Sequence, residues 1–118
     1  MGHDDQVKDL AQLLLTHGKI YSVKQGNRYY IRLYLYGEDE ALRQFKEAFG
    51  GLLIPNPTNR TQLQISRRKD MLRVGEVLLP HIKGTALGRR LGIMIAFCKA
   101  VDKETKFSLA KQLKTSPL

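Results

Sequence analysis

The chain has 118 residues, of which 42% are hydrophobic, enough for one domain with one core and too few for a second. Twenty lysines and arginines against eleven acids leave a formal net charge of +9, which favours polyanionic partners and nucleic acid first among them. The single cysteine, Cys98, excludes a disulfide framework. The polar start of the chain does not resemble a signal peptide, and no apolar run approaches the roughly 18 residues of a membrane span. We therefore expect an intracellular protein of the cytoplasm, nucleoid or an organelle, with no membrane partner.

The first predicted element is a helix over residues 7–16, with Gly18 just past its end as a stop signal. Leu10, Leu13 and Leu14 mark one apolar side, and Ala11 and Leu15 extend it around the helix. A helix that is apolar over most of its circumference is buried. Because one small sheet could not cover all of it, we expect a second copy of the chain to pack against it.

A hairpin follows, with strands over residues 19–25 and 28–36 joined by the turn Gly26-Asn27. A helix over 38–49 then ends at Gly50-Gly51, before a second hairpin formed by residues 52–54 and 61–66. The next predicted helix, over 67–79, is kinked or ended by Pro80, and Thr85 caps another that reaches Lys99 or beyond. Residues after Asp102 are either a short helix or a frayed end.

The predicted order is αββαββα, closing with a helix. Strand pairs interleaved with helices predict an α+β fold, in which an antiparallel sheet carries its helices on one face. We predict a single domain over residues 1–118, with a core at about 7–101 and a basic C-terminal tail at 102–118.

The other face of this sheet is the candidate binding surface. Strand alternation predicts that it collects Tyr21, Val23, Gln25, Tyr30, Arg32, Tyr34, Tyr36, Gln62 and Gln64. Further cations at strand ends and loops are candidates for phosphate contacts: Lys24, Arg28, Arg60, Arg67 and Arg68. Tyrosine and arginine are also ordinary choices on a solvated strand face. Three rings on one stripe beside Arg32 nevertheless favour a binding surface, because monomers avoid exposed apolar patches of this kind.

His17 has three interpretations: a metal ligand, a general base, or a helix-end residue whose partial positive charge suits the C-terminal dipole. No zinc spacing joins it to His3, His81 or Cys98. The four-residue spacing of glycines over 84–92 favours close helix packing and not a nucleotide site.

From about Asp9 to Phe97 the chain resembles a single-motif LAGLIDADG homing endonuclease subunit. The resemblance rests on residues 10–18 (LAQLLLTHG) with the following Lys-Ile-Tyr, on Phe49-Gly50-Gly51, and on residues 78–82 (LLPHI) before the last helix. It implies a saddle-shaped sheet in the DNA major groove, and a homodimer on a pseudo-palindromic target. The implied dimer contacts come from the motif helix: Leu10, Ala11, Leu13, Leu14 and Thr16.

The chain departs from the family pattern in two places. Gln12 and Thr16 stand where small residues let the two motif helices approach each other. His17 stands where the family has the acid that binds magnesium, an ion that prefers oxygen ligands. Asp9 cannot replace that acid, because eight helical residues displace it by about 12 Å. The family's basic residue after the proline falls on Thr85, with Lys83 nearby.

Three functions follow. The first is a double-stranded DNA-binding protein that has lost nuclease activity, with no confident catalytic residue, no metal site and no cofactor. The second is an active Mg²⁺-dependent endonuclease with an altered metal site that uses another acid from the partner chain. The third is an RNA-binding splicing cofactor derived from the same family.

Overall fold

The computed structural model describes residues 3–55 and 61–115. Its helices are α1 (His3–His17), α2 (Asp39–Phe49), α3 (Arg68–Ile82), α4 (Ala86–Lys99) and α5 (Lys103–Thr115). Its strands are β1 (Gly18–Gln25), β2 (Arg28–Gly37), β3 (Leu52–Ile54) and β4 (Thr61–Ile65). Within the described residues, no helix is both long and apolar enough to cross a membrane.

The four strands form one antiparallel sheet in the order β1-β2-β4-β3. β1 and β2 pair without interruption from Gly18↔Leu35 to Gln25↔Arg28, and Gly26, at φ 62°, makes the tight turn between them. β4 then pairs with β2, which places the two hairpins side by side. The predicted first hairpin and the antiparallel sheet are confirmed.

The core lies between one face of this sheet and the helices. Ile31, Leu33 and Leu35 alternate along β2 and are all buried on that face. Helices α1, α2, α4 and α5 contact the strands, and α3 packs against α1 and α4. The predicted α+β architecture, with helices on one face of an antiparallel sheet, is confirmed.

Helix α1 ends at His17, so Gly18 lies just past its end as predicted, but the helix begins at His3 and not at Val7. The end of α3 also differs from the prediction. α1 passes into β1 at Gly18 without a loop, and Gly18 is needed there for space: a Cβ would lie 2.5 Å from the Leu14 carbonyl oxygen. α3 includes Pro80 and ends two residues beyond it, at Ile82, so Pro80 does not end this helix.

The basic tail forms α5, a helix of 13 residues rather than a short or frayed end. Asp102 caps it, because the Asp102 carboxylate accepts hydrogen bonds from the Thr105 amide at 2.9 Å and the Thr105 hydroxyl at 2.8 Å. These bonds lower the pKa of Asp102 below its ordinary value. Ala110 and Leu113 are fully buried, so α5 belongs to the core.

Arg90 is a buried cation that joins three elements. From α4, its Nη1 donates to the Leu113 carbonyl oxygen of α5 at 2.8 Å, and its Nη2 donates to the Ile20 carbonyl oxygen of β1. Burial lowers the pKa of Arg90 below its ordinary value, with the Tyr21 side chain acting in the opposite direction. This clamp fixes α5 beside β1.

Candidate nucleic-acid interface

The strand register defines the sheet face that points away from the helices, called here the outer face. Residues that are directly opposite in an antiparallel pair share a face. The register therefore assembles the outer face from Lys19, Tyr21, Val23, Gln25, Arg28, Tyr30, Arg32, Tyr34, Tyr36, Leu52, Ile54, Gln62 and Gln64. The nine outward residues predicted from strand alternation all lie on it.

The outer face is positively charged. It carries Lys19, Arg28 and Arg32, and none of the four strands contains an aspartate or glutamate. All eleven acids of the chain lie outside the strands. Lys19 is absent from the predicted site, although its spacing of two from Tyr21 places it on the same face. This face therefore presents cations without nearby strand carboxylates to offset them, which suits a polyanion.

Three tyrosines form a row across β1 and β2. The ring centroids of Tyr21 and Tyr34 are 5.9 Å apart with a tilt of 52°, and those of Tyr34 and Tyr36 are 6.2 Å apart and stacked. Burial, followed by the neighbouring Tyr21 and Tyr34, raises the pKa of Tyr36. A tyrosine hydroxyl is protonated near neutral pH at its ordinary pKa, and the raised pKa keeps Tyr36 protonated at higher pH as well. It can therefore donate a hydrogen bond to a phosphate or base acceptor.

The far side of the outer face combines amides with apolar groups. Gln62 and Gln64 of β4 stand opposite Ile54 and Leu52 of β3. Leu52 is 62% exposed, so its apolar side chain is accessible on this face. Neither Leu52 nor Ile54 is in the predicted site, although strand alternation relative to Leu53 would identify both.

Three of the predicted phosphate-contacting cations are not placed on the outer face. Lys24 has the opposite strand parity, and its Nζ lies 5.9 Å from the Tyr29 ring centroid. The Nε of Arg68 donates to the Cys98 carbonyl oxygen, so this guanidinium ties α3 to the end of α4. Arg67 is exposed at the N-cap of α3. Arg60 lies outside the described residues. Among the predicted phosphate contacts that the structure describes, Arg28 alone joins the outer face.

The structure also corrects the predicted dimer contacts on α1. Leu10, Ala11 and Leu14 are buried in the core of the protomer itself, because α2 and α3 pack against α1 together with the sheet. Leu13 is half-buried against the same core. Of the five predicted contacts, only Thr16 is exposed, and its Oγ1 accepts a hydrogen bond from Gln12 Nε2 at 3.1 Å.

The exposed side of α1 is therefore mostly polar. Its one large apolar residue is Leu15, which is 36% exposed. The expectation that this helix is too apolar for one protomer to cover is wrong, because α3 covers what the sheet does not.

His17 ends α1 next to the start of α2. A Cβ on Gly37 would lie 3.5 Å from His17 Nδ1, so the imidazole packs over the end of β2. Two residues after Gly37, the Asp39 carboxylate accepts a hydrogen bond from the Thr61 hydroxyl. Among the residues described, no three His, Cys, Asp or Glu side chains form a group that could hold a metal ion. An imidazole nitrogen at this position is a poor match for the oxygen preference of magnesium.

Thr85 and Lys83 belong to the connection between α3 and α4. The Thr85 hydroxyl accepts from the Gly88 amide at 2.9 Å and donates to the Ile82 carbonyl oxygen at 2.6 Å. The predicted cap of α4 is thus confirmed, and it explains why a threonine suits this position. Lys83 is exposed between the two helices.

The folded chain is similar to solved structures of homing endonucleases. The archaeal intron-encoded homing endonuclease I-Vdi141I, complexed with DNA, matches with a TM-score of 0.82 at 11% identity, over 99% of this chain and 87% of that one. The homing endonuclease I-CvuI, in complex with its target, matches with a TM-score of 0.78 at 14% identity, over 98% and 85% of the two chains. The LAGLIDADG meganuclease I-AabMI, bound to uncleaved DNA, matches with a TM-score of 0.80 at 12% identity, over 95% of this chain and 45% of that one.

No protein-family model matches the sequence, and no curated protein matches it. The architecture defines an α+β domain with one open sheet face. The structural matches identify its fold as that of the LAGLIDADG homing endonucleases, and the resemblance noted in the sequence is confirmed at this level.

Proposed function

We propose that this protein binds double-stranded DNA with the outer face of its sheet and does not cleave it. The observation that carries the proposal is the composition of that face: three cations and four tyrosines on strands that contain no carboxylate. I-Vdi141I and I-AabMI are complexes with DNA, and I-CvuI is in complex with its target. These matches support DNA binding by the present chain.

The side chains of the outer face match the groups that the DNA major groove exposes. That groove is about 12 Å wide and admits a two-stranded ribbon. Arg32 suits the O6 and N7 atoms of guanine, and Gln62 and Gln64 suit the N6 and N7 atoms of adenine. Leu52 can contact a thymine methyl group, while tyrosine hydroxyls donate to phosphates.

A homodimer extends this proposal. The chain matches 45% of the length of I-AabMI, so two copies are needed to reach a similar extent. We place the contact on the exposed side of α1, at Gln12, Leu15 and Thr16. A two-fold pair of outer faces then recognises a pseudo-palindromic duplex.

The absence of cleavage is proposed from His17. The helix end where the family pattern has its metal-binding acid presents an imidazole, and the nearby Asp39 is already hydrogen-bonded to Thr61. Metal-assisted hydrolysis of a phosphodiester requires an ion that activates water and stabilises the leaving oxygen. With nitrogen in place of carboxylate oxygen, that ion has no suitable ligand on this helix end.

The test uses duplexes selected from a random pool and fluorescence anisotropy. Arg32→Gln should weaken binding to the selected duplex by about 1 to 3 kcal/mol and relax its sequence preference. The matched control is Arg43→Gln, which removes one exposed cation from α2 in the helical layer. Equal losses for both variants would mean that net charge, not the outer face, binds DNA.

The salt dependence checks the number of contacts. If the three cations of the outer face each neutralise one phosphate, raising salt from about 50 to 200 mM weakens binding about 40-fold for one protomer and about 2,000-fold for a dimer. Binding that does not change with salt would contradict the proposal. Displacement of the selected duplex by structured RNA would favour the RNA-binding alternative.

A further inference from the structure

A second candidate site lies at the hairpin end of the sheet, away from the tyrosine row. It is a cleft of about 580 Å³ between the β1–β2 turn and the start of α5. With a rise of about 3.3 Å per residue, the eight residues of β1 separate this cleft from His17 by about 26 Å. The cleft is therefore distinct from the α1 end of the domain.

The cleft has an aromatic lining. Tyr29 and Phe107 meet edge to face, with their ring centroids 5.1 Å apart, and Phe97 also lines the cleft. Phe107 is 45% exposed and Val101, also in the lining, is 94% exposed. Two large apolar side chains exposed beside one concave surface are typical of a ligand site.

Cations surround this apolar surface. Arg28, Lys103 and Lys106 line the cleft against a single acid, Glu104. The Nζ of Lys106 lies 5.8 Å from the Phe97 ring centroid, so positive charge lies close to the aromatic groups. A ligand that fits has a flat apolar body and negative charge at its edge. Nucleotides have both properties, because every base has a π-face and every linkage a phosphate. An acidic peptide supplies the charge without the flat rings.

The cleft is also continuous with the outer face. Arg28 and Tyr30 belong to both surfaces. We propose that this cleft binds unpaired nucleotides of a DNA strand, by stacking a base on Phe107 and Tyr30 and contacting its phosphates with Lys103 and Lys106. The continuity argument rests on the proposed duplex binding by the outer face, whereas the aromatic and charged lining stands without it.

The experiment measures fluorescein-labelled dT8 and a blunt duplex separately, by anisotropy at low salt. Phe107→Ala should weaken dT8 binding about 5- to 150-fold, the effect of removing one stacking platform. Val101→Asp, at a side chain that is almost fully exposed, should weaken it as well by placing a negative charge in the lining. Lys106→Gln should weaken dT8 binding more than the control Lys46→Gln, which removes an exposed cation from α2.

The outcomes separate the two proposals. Binding of the duplex without dT8 overturns the cleft proposal alone, and binding of dT8 without the duplex overturns the proposed function alone. Unchanged dT8 binding in both Phe107→Ala and Val101→Asp overturns the cleft proposal even where dT8 binds. Displacement of dT8 by polyglutamate at equal charge shows a site for acidic peptide or bare charge, and tighter binding of an rU8 strand assigns the cleft to RNA. Either result overturns the cleft proposal.

Discussion

Substitutions at two adjacent leucines of α1 should affect different properties: Leu14 the stability of the fold, and Leu15 the assembly of the proposed dimer. Leu14 is fully buried in the core, whereas Leu15 is 36% exposed on the side proposed to meet a second copy. Truncation of a fully buried leucine to alanine costs about 2 to 5 kcal/mol, a large share of the roughly 5 to 15 kcal/mol that stabilises a domain. Leu14→Ala should therefore lower the free energy of unfolding by that amount without creating a new charge at the dimer contact.

Leu15→Glu should instead weaken the dimer without removing a buried core side chain. An unpaired polar group in an interface costs about 1 to 3 kcal/mol, and two-fold symmetry doubles this to about 2 to 6 kcal/mol. The dimer dissociation constant should rise at least about 30-fold, at about 1.4 kcal/mol per tenfold change. Unfolding should be measured in urea at a concentration where the variant is monomeric, and assembly by sedimentation velocity across a range of concentrations.

A Leu15→Glu variant as dimeric as the unmodified protein would contradict a dimer contact at Leu15. A Leu14→Ala variant that retains its free energy of unfolding would place Leu14 outside the core. A monomer at tens of micromolar for the unmodified protein would refute the proposed assembly, while leaving the fold unaffected.

Three further predictions concern single residues. His17→Asp should raise Mn²⁺ affinity in calorimetry, whereas the control His81→Asp, at an exposed histidine of α3, should not; metal-dependent cleavage by the unmodified protein would contradict the non-catalytic proposal. Because the pKa of Asp102 is lowered in the folded state, its stabilisation of α5 should be complete above the ordinary pKa of 3.8 and lost as pH falls through the lower folded value; amide exchange in α5 should show this, and Asp102→Asn should remove the pH dependence. Gly18→Ala should cost about 1 to 3 kcal/mol in urea unfolding, because its Cβ would lie 2.5 Å from the Leu14 carbonyl oxygen; an unchanged midpoint would refute that contact.

The alternation of residues along the strands predicts which side chains of the sheet are buried. In β2, Ile31, Leu33 and Leu35 alternate with larger polar and aromatic residues, so the buried face and the outer face follow from period two alone. The surface that covers helix α1 could not be predicted in this way. The apolar residues of α1 extend around the helix, and no periodicity distinguishes burial under α3 from burial under a second protomer.

The candidate site was predictable where it depends on one strand and missed where it depends on packing. The tyrosines of β2 follow from their spacing, whereas the hydrogen bond of Arg68 to the distant Cys98 carbonyl oxygen does not. The cleft was missed for the same reason. Tyr29 and Phe107 are far apart in sequence and meet only because α5, which has a weak apolar pattern, docks on the sheet.

The most direct test of DNA binding by the outer face uses the five tyrosines of the chain. Four of them, Tyr21, Tyr30, Tyr34 and Tyr36, lie on the outer face, and Tyr29 has the opposite strand parity and serves as the internal control. The protein labelled with 3-fluorotyrosine should be titrated with a selected blunt duplex and followed by ¹⁹F NMR, with each signal assigned by a Tyr→Phe variant. If the outer face binds DNA, the outer-face signals should shift in proportion to bound duplex while the Tyr29 signal stays in place. A shift of Tyr29 with the signals of Tyr21, Tyr34 and Tyr36 unmoved would contradict DNA binding by the outer face.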